Sequence, residues 1–314
     1  MHEPRVEFCG LQAPSSKLQA AWRPSATLAT LRARSAMVDR VRRFFTERGA
    51  LEVDTPVLQD GANLDHGVQP FAVAGRFLPT SPEHPLKRLV AAYGQDVWTL
   101  APAFRSGERG TRHQPEFRML EWYRVGWDDA RLADETVAVL ELITGLGGGT
   151  ERLAWHDAWS RAGLDPATVG PADGFSREER LDLLLTERIE PGLGRGCWTV
   201  LTDYPASGAA QARLRRDAQG RSVAARFEIY RDGIELANGY HECVEAAELR
   251  ARHQAELPAH PGCRLDEGFH AMMADGLPDC AGVAVGFDRA VMLGLGLRTV
   301  AETMAFAWDQ GAGG

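Results

Sequence analysis

The chain is poor in the features that would tie it to an oxidising compartment, a membrane or a polyanion. Its 5 cysteines, at positions 9, 197, 243, 263 and 280, form no Cys-x-x-Cys pair. An odd count without such a pair fits reduced thiols packed as small hydrophobes. No stretch approaches the ~18 apolar residues of a membrane span. The segment from Met1 to Lys17 carries Glu3 and Glu7 where a secretory signal would be apolar. A basic excess is missing too: the formal net charge is -8, which argues against a surface built to run along a nucleic-acid backbone. With 314 residues and 44% hydrophobic content, the chain reads as an enzyme-sized, cytoplasmic, non-membrane globule. Residues 1–20 are expected to form a poorly ordered extension, and 21–314 a single catalytic domain.

The periodicities give a coarse map. Leu28, Leu31, Val38, Val41 and Phe45 recur at helical spacing from Thr27 to Arg48, with Gly49 as the stop. Leu51 to Val57 alternates like a short strand, with Pro56 at an edge or bend. Ser81 is a candidate cap for a helix from His84 toward Tyr93. Val97 to Arg105 and Glu116 to Gly126 read as strands around a polar turn. Asp128 to Thr144 reads as a helix ending at Gly145, and Ser176-x-x-Glu179 as a capping box opening another. Arg231-Asp232-Gly233 joins two strands as a tight hairpin. Gly282 to Gly286 is a glycine-punctuated strand running into an apolar helix. Hairpins with helices outside mean an α+β fold.

The chemistry collects on these strands. The two-residue period puts Phe117, Met119, Glu121 and Tyr123 on one face, offering a platform for a nucleobase and a carboxylate with a phenol for an ammonium group. Arg105 can grip phosphate and carboxylate oxygens at once through its planar fork. Arg109, Arg112 and His113 in the turn add cationic donors for a polyphosphate. Glu235 and Glu242 bracket the end of a hairpin strand, an arrangement suited to sharing a hard cation with substrate phosphates, and Asn238 extends the same edge. Arg289 follows the glycine-rich strand, where a flat ligand can lie close. Each signal also has an ordinary reading as core packing or surface ion pairing.

In this order and spacing the segments resemble the three signature motifs of class II aminoacyl-tRNA synthetases, in their lysyl branch. Arg34-Ser35-Ala36-Met37 through Leu51-Glu52-Val53-Asp54-Thr55-Pro56-Val57-Leu58 is similar to the first motif. Ala103 to Tyr123 is similar to the second and Gly286-Phe287-Asp288-Arg289 to the third, while Gly233 to Glu242 fits the same branch. The resemblance spans Trp22 to Asp309 and implies an antiparallel sheet flanked by helices. Only about twenty residues precede Ser25, short of the ~50 of a small domain, where a lysyl-tRNA synthetase carries an anticodon-binding barrel. The layout therefore resembles the elongation factor P β-lysine ligases, as do Trp22-Arg23-Pro24-Ser25-Ala26 and Pro278 to Ala284. Ala284 stands where lysyl-tRNA synthetases usually have glycine. Three departures stand out: the acidic residue of the second motif is displaced by one to Glu108, and Gln114 and Arg118 replace the more usual asparagine and threonine.

The resemblance implies ATP bound bent, adenine between Phe117 and Arg289, with Arg105 and Arg289 catalytic. Glu108, His113, Glu235, Leu236 and Gly286 would complete the ATP site. Ser81, Pro82, Glu83, Glu121, Tyr123, Asn238, Glu242 and Ala284 would hold lysine or (R)-β-lysine, and Mg2+ would sit on Glu235 and Glu242. The implied partners are elongation factor P as acceptor and a second copy of the chain, joined through the first motif. Two rivals remain, a stand-alone enzyme charging an RNA and a non-catalytic adenylate sensor.

Overall fold

The computed structural model describes residues 22–308, so the expected extension at 1–20 lies outside the described residues. Helix α1, Leu28–Glu47, is capped by Thr27, whose side chain accepts from the Thr30 N–H, and Gly49 follows it at φ 72°. The strand expected over Leu51 to Val57 is shorter, β1 being Leu51–Glu52, and a small hairpin, β2 (Ala72–Val73) and β3 (Arg76–Phe77), follows. Helix α2 spans Glu83–Tyr93, and its cap is Pro82 rather than Ser81. Ser81 Oγ nonetheless accepts the N–H of Glu83 at 3.1 Å. The second-motif strands are β4, Val97–Phe104, and β5, Glu116–Val125.

Next come α3 (Asp129–Thr144, between the Asp128 cap and left-handed Gly145), β6 (Thr150–Ala154) and α4 (Trp155–Arg161). The capping box forms as expected at the head of α5, Arg177–Leu184, which runs on into a π-turn over Leu185–Ile189. Strands β7 (Trp198–Pro205), β8 (Leu214–Arg216), β9 (Ser222–Arg231) and β10 (Ile234–His241) follow. Asp232 and Gly233 join the last two at φ 51° and 70°, the positive dihedrals an Asp-Gly hairpin turn requires. Helices α6 (Ala246–Glu256) and α7 (Glu267–Asp275) precede β11 (Cys280–Gly286) and α8 (Phe287–Gly294).

Nine strands form one sheet in the order β1-β4-β5-β11-β10-β9-β7-β6, with β8 beside β9. Its centre is antiparallel, but both rims are parallel, β1 on β4 and β6 on β7. The fold is thus α+β as expected, with a mixed rather than wholly antiparallel sheet. One face is dry: Leu120, Trp122, Phe227, Ile229, Val283 and Val285 pack on Val41, Phe45, Leu140 and Phe287 from α1, α3 and α8. This face buries the large aromatic and aliphatic area that drives folding. Alternation then sends the intervening residues of the same strands to the opposite face. No helix among the described residues is long and apolar enough to cross a membrane.

Candidate active site

The register of the central strands lines up polar residues in transverse rows on the open face. Glu121 on β5 lies opposite Ala284 on β11, Ala284 opposite Asn238 on β10, and Asn238 opposite Glu228 on β9. The next row runs Tyr123, Gly282, Tyr240, Arg226. A β-bulge between Glu235 and Ala237 inserts one residue, so Glu235 shares the open face with Asn238 and Tyr240 despite the odd spacing. Above these rows lies a cleft of about 300 Å³. Its lining includes Arg105, Glu108, His113, Phe117, Glu235, Leu236, Asn238, Ala284, Gly286 and Arg289. Every residue that the resemblance placed in the ATP site thus lines one cavity. A Cβ at Gly286 would come no nearer than 3.5 Å to any atom, so its missing side chain opens cleft space.

The nucleotide end is arginine-rich and pre-set. Arg289 donates to the carbonyls of Arg112 (3.2 Å) and Glu235 (3.1 Å), to Glu235 Oε2 (3.4 Å) and to His113 Nε2 (2.6 Å). His113 must accept that last bond on a bare nitrogen. Burial and then the Arg289 charge hold its pKa below the ordinary histidine value. His113 is therefore a neutral prop for Arg289, not the cationic phosphate donor expected from the turn. Arg112 lines the cleft and donates to Gly233 O, whereas Arg109 lies over the Trp308 ring instead. Arg105 lies 5.3 Å from the Phe117 ring centroid, donates to Thr80 O and pairs with Glu108 at 3.4 Å. The one-residue displacement leaves Glu108 in the cleft. Behind Arg289, Asp288 takes Arg34 of α1 at 2.6 Å and the Arg118 N–H at 2.7 Å, locking the third motif to the first two.

The expected substrate residues divide. Asn238 and Ala284 line the cleft, while Ser81, Pro82, Glu83, Glu121, Tyr123 and Glu242 lie at its deep end and do not line it. Glu121 is one strand step, ~7 Å, beyond cleft-lining Met119 on the same face. It accepts hydrogen bonds from Ser81 (2.6 Å) and Tyr123 (3.0 Å). Glu83 and Glu242 both meet Lys87, each at 2.6 Å, and Glu83 also accepts from Gln211 at 2.7 Å. Glu242 is 0% exposed, and its Oε1 has no hydrogen-bond partner. Burial and neighbouring carboxylates push Glu121 and Glu242 up to about 8. Burial works against the charge on Lys87, but the pull of Glu242 and Glu83 outweighs it and holds the ammonium firmly protonated. One cation thus faces three buried carboxyl groups.

This geometry corrects the expected metal pair. Seven residues of strand separate Glu235 from Glu242, ~20 Å of rise, and no single cation spans that. The neighbour of Glu235 is Glu228 across the hairpin. Burial and then the Glu228 charge raise the Glu235 carboxyl. Glu228 and Glu235 both line the cleft, Glu228 paired with Arg226 and Glu235 with Arg289, and a hard cation that also takes phosphate oxygens would be held by these two carboxylates in place of an arginine contact. Among the described residues no group of three or more His, Cys, Asp and Glu side chains could hold a metal, so such an ion would depend on its ligand's oxygens.

Several residues of the site escaped the sequence reading. Lys87, Gln211, Asp65, Arg226, Glu228 and Tyr240 are all in or beneath the cleft. Arg226-x-Glu228 did carry a signal, the same two-residue alternation that marked β5. Gly282 is needed for contact rather than for the ligand: a Cβ there would lie 2.2 Å from the Tyr123 ring and 2.7 Å from Glu242 Oε1. Comparison with known families agrees with the geometry: the model of the tRNA synthetases class II (D, K and N) matches residues 17–310, and the chain belongs to that family.

Proposed function

We propose that this protein is an ATP-dependent, AMP-forming ligase that activates lysine or (R)-β-lysine and transfers it to a lysine side chain of elongation factor P. The carrying observation is the acidic floor, where Glu83, Glu121 and Glu242 outnumber Lys87 and Glu242 Oε1 lacks a donor. A second ammonium is what that floor lacks. ATP lies in the cleft with its base at Phe117 and its phosphates against Arg105 and Arg289. The amino-acid carboxylate attacks the α-phosphorus, pyrophosphate leaves, and the chain contributes alignment and fixed positive charge rather than a nucleophile. Bound at Glu228 and Glu235, Mg2+ would supply further neutralisation of phosphate charge. Ala284, beside Glu121 and Asn238, adds one methyl where a relocated amino group would be discriminated, a difference of ~1–3 kcal/mol. A second copy of the chain docked through the α1 segment completes the assembly in this reading.

The test incubates the protein with ATP and each lysine isomer, follows pyrophosphate exchange, and then offers elongation factor P or bulk tRNA. Exchange with one isomer and label on the protein acceptor are expected. Label on tRNA alone would overturn the protein-ligase reading, and no exchange with any isomer would favour an adenylate sensor.

A further inference from the structure

A second chamber, of about 570 Å³, adjoins the cleft. Asp65, His66, Ala210, Arg226, Glu228 and Glu235 line both cavities and form their common wall. The chamber's lining carries seven carboxylates against two arginines. Neither arginine is free. Arg226 donates to Glu228, Asn238 and Gly208 O, and Arg252 to Glu248 and the carbonyls of Ala210 and Ala212. Trp155, Leu181 and Leu185 add an apolar side to the same space. Two further observations are independent of this charge count. His253 lines the chamber at 4% exposure, and its Nε2 has no partner in the fold. The π-turn Leu185–Ile189 interrupts the wall here, an irregularity that helices mostly keep at functional sites.

We propose that this chamber is the acceptor port, taking the ammonium-bearing side chain of a protein lysine and passing its nitrogen through the common wall to the activated carboxyl group. The inference rests on the ligase reading above. A lysine side chain has an aliphatic stem and a charged tip, and the chamber offers an apolar side and an acidic lining to match. The same charge repels the phosphates of an RNA 3′ end, so it selects a protein acceptor. In the transfer, the nitrogen attacks the carbonyl carbon of the adenylate, the C–N bond forms, and the bond from that carbon to the phosphate oxygen breaks with AMP keeping the pair. Two protons leave the nitrogen, one before the attack and one after. Both protons pass to solvent.

The test uses Glu178→Gln/Asp182→Asn, which neutralises two chamber carboxylates one helical turn apart on α5, and Asp182→Lys, which reverses one. Each is compared with the unaltered protein in lysine-dependent pyrophosphate exchange, in hydroxamate formation with uncharged hydroxylamine, and in transfer to Nα-acetyl-lysine amide. Exchange and hydroxamate formation are expected to stay within about twofold, while KM for the lysine amide rises about tenfold in the double variant and further in Asp182→Lys. An unchanged KM with exchange intact overturns the port and leaves the ligase reading standing. Absence of exchange in the unaltered protein overturns the ligase reading and the port with it.

Discussion

The two ends of the cleft solve opposite electrostatic problems. At the nucleotide end, Arg105, Arg112 and Arg289 are held by carbonyls, by neutral His113 and by single carboxylates, and they are fixed in place before any ligand arrives. At the deep end, three carboxyl groups share one lysine beyond the reach of solvent. The first end is preorganised and needs only an anion to complete it. The second is in deficit and would be stabilised by a bound cation. Rigidity and selectivity therefore sit in different places, a few strand steps apart on one sheet.

The deepest break in this contrast is expected from Lys87→Met. Removing one partner of a buried ion pair costs about 3–5 kcal/mol, so thermal unfolding should show a large loss, deepest above pH 8 where Glu121 and Glu242 are ionised and partly recovered as pH falls through that value and they protonate. Arg105→Ala tests the other end. It should lower lysine-dependent pyrophosphate exchange about 100- to 1000-fold with little change in melting temperature, because its absence is felt when charge develops on phosphate. Gly282→Ala lies between the two ends. The new Cβ collides with Tyr123 and Glu242, an overpacking cost of about 1–3 kcal/mol that should raise KM for lysine while leaving KM for ATP alone.

The smallest effect, and the sharpest on mechanism, concerns pH. Glu121 and Glu242, held at about 8 in the fold, bind protons more tightly there than in the unfolded chain, where the carboxyl value is 4.5. Their contribution is most favourable below pH 4.5 and is lost as pH rises through 8. The ligand-free protein should thus lose stability between those limits. Glu121→Gln should reduce the slope without abolishing it, since Glu242 remains, and saturating lysine should flatten the slope of the unaltered protein. Melting curves from pH 5 to 8 check all three statements.

How much of this was legible beforehand follows from range. Local signals were mostly reliable: the helices opening near Thr27 and Asp128, the stops at Gly49 and Gly145, the Ser176 capping box and the Asp-Gly hairpin are each set within a few residues and form as expected, whereas the cap expected at Ser81 falls to Pro82. The two-residue period on β5 correctly joined Phe117, Met119, Glu121 and Tyr123. The parallel rims were not legible, because no local pattern fixes which distant strand β1 or β6 will meet. Lys87 carried a local signal in Glu83, four residues before it, but that reads as an ordinary helix-surface pair, and only Glu242, 155 residues away in sequence, places it in the site. Pairing Glu235 with Glu242 ignored the rise of the strand between them, whereas the facing strand of the hairpin carries Glu228, two residues from Glu235's partner Tyr230, and its charge reaches Glu235.

One consequence of the Lys87 contact reaches beyond the site. The chain has 33 arginines but lysines only at positions 17 and 87, and Lys87 is 0% exposed beneath two carboxylates. On the proposed chemistry, the product of the first half-reaction is a mixed anhydride that acylates any accessible amine. Across residues 22–308 the protein offers it no surface lysine: arginine supplies the positive charge, and the lysine it retains is sealed and protonated. On that chemistry such a composition would spare the described surface from self-acylation, leaving the acceptor's amine as the target.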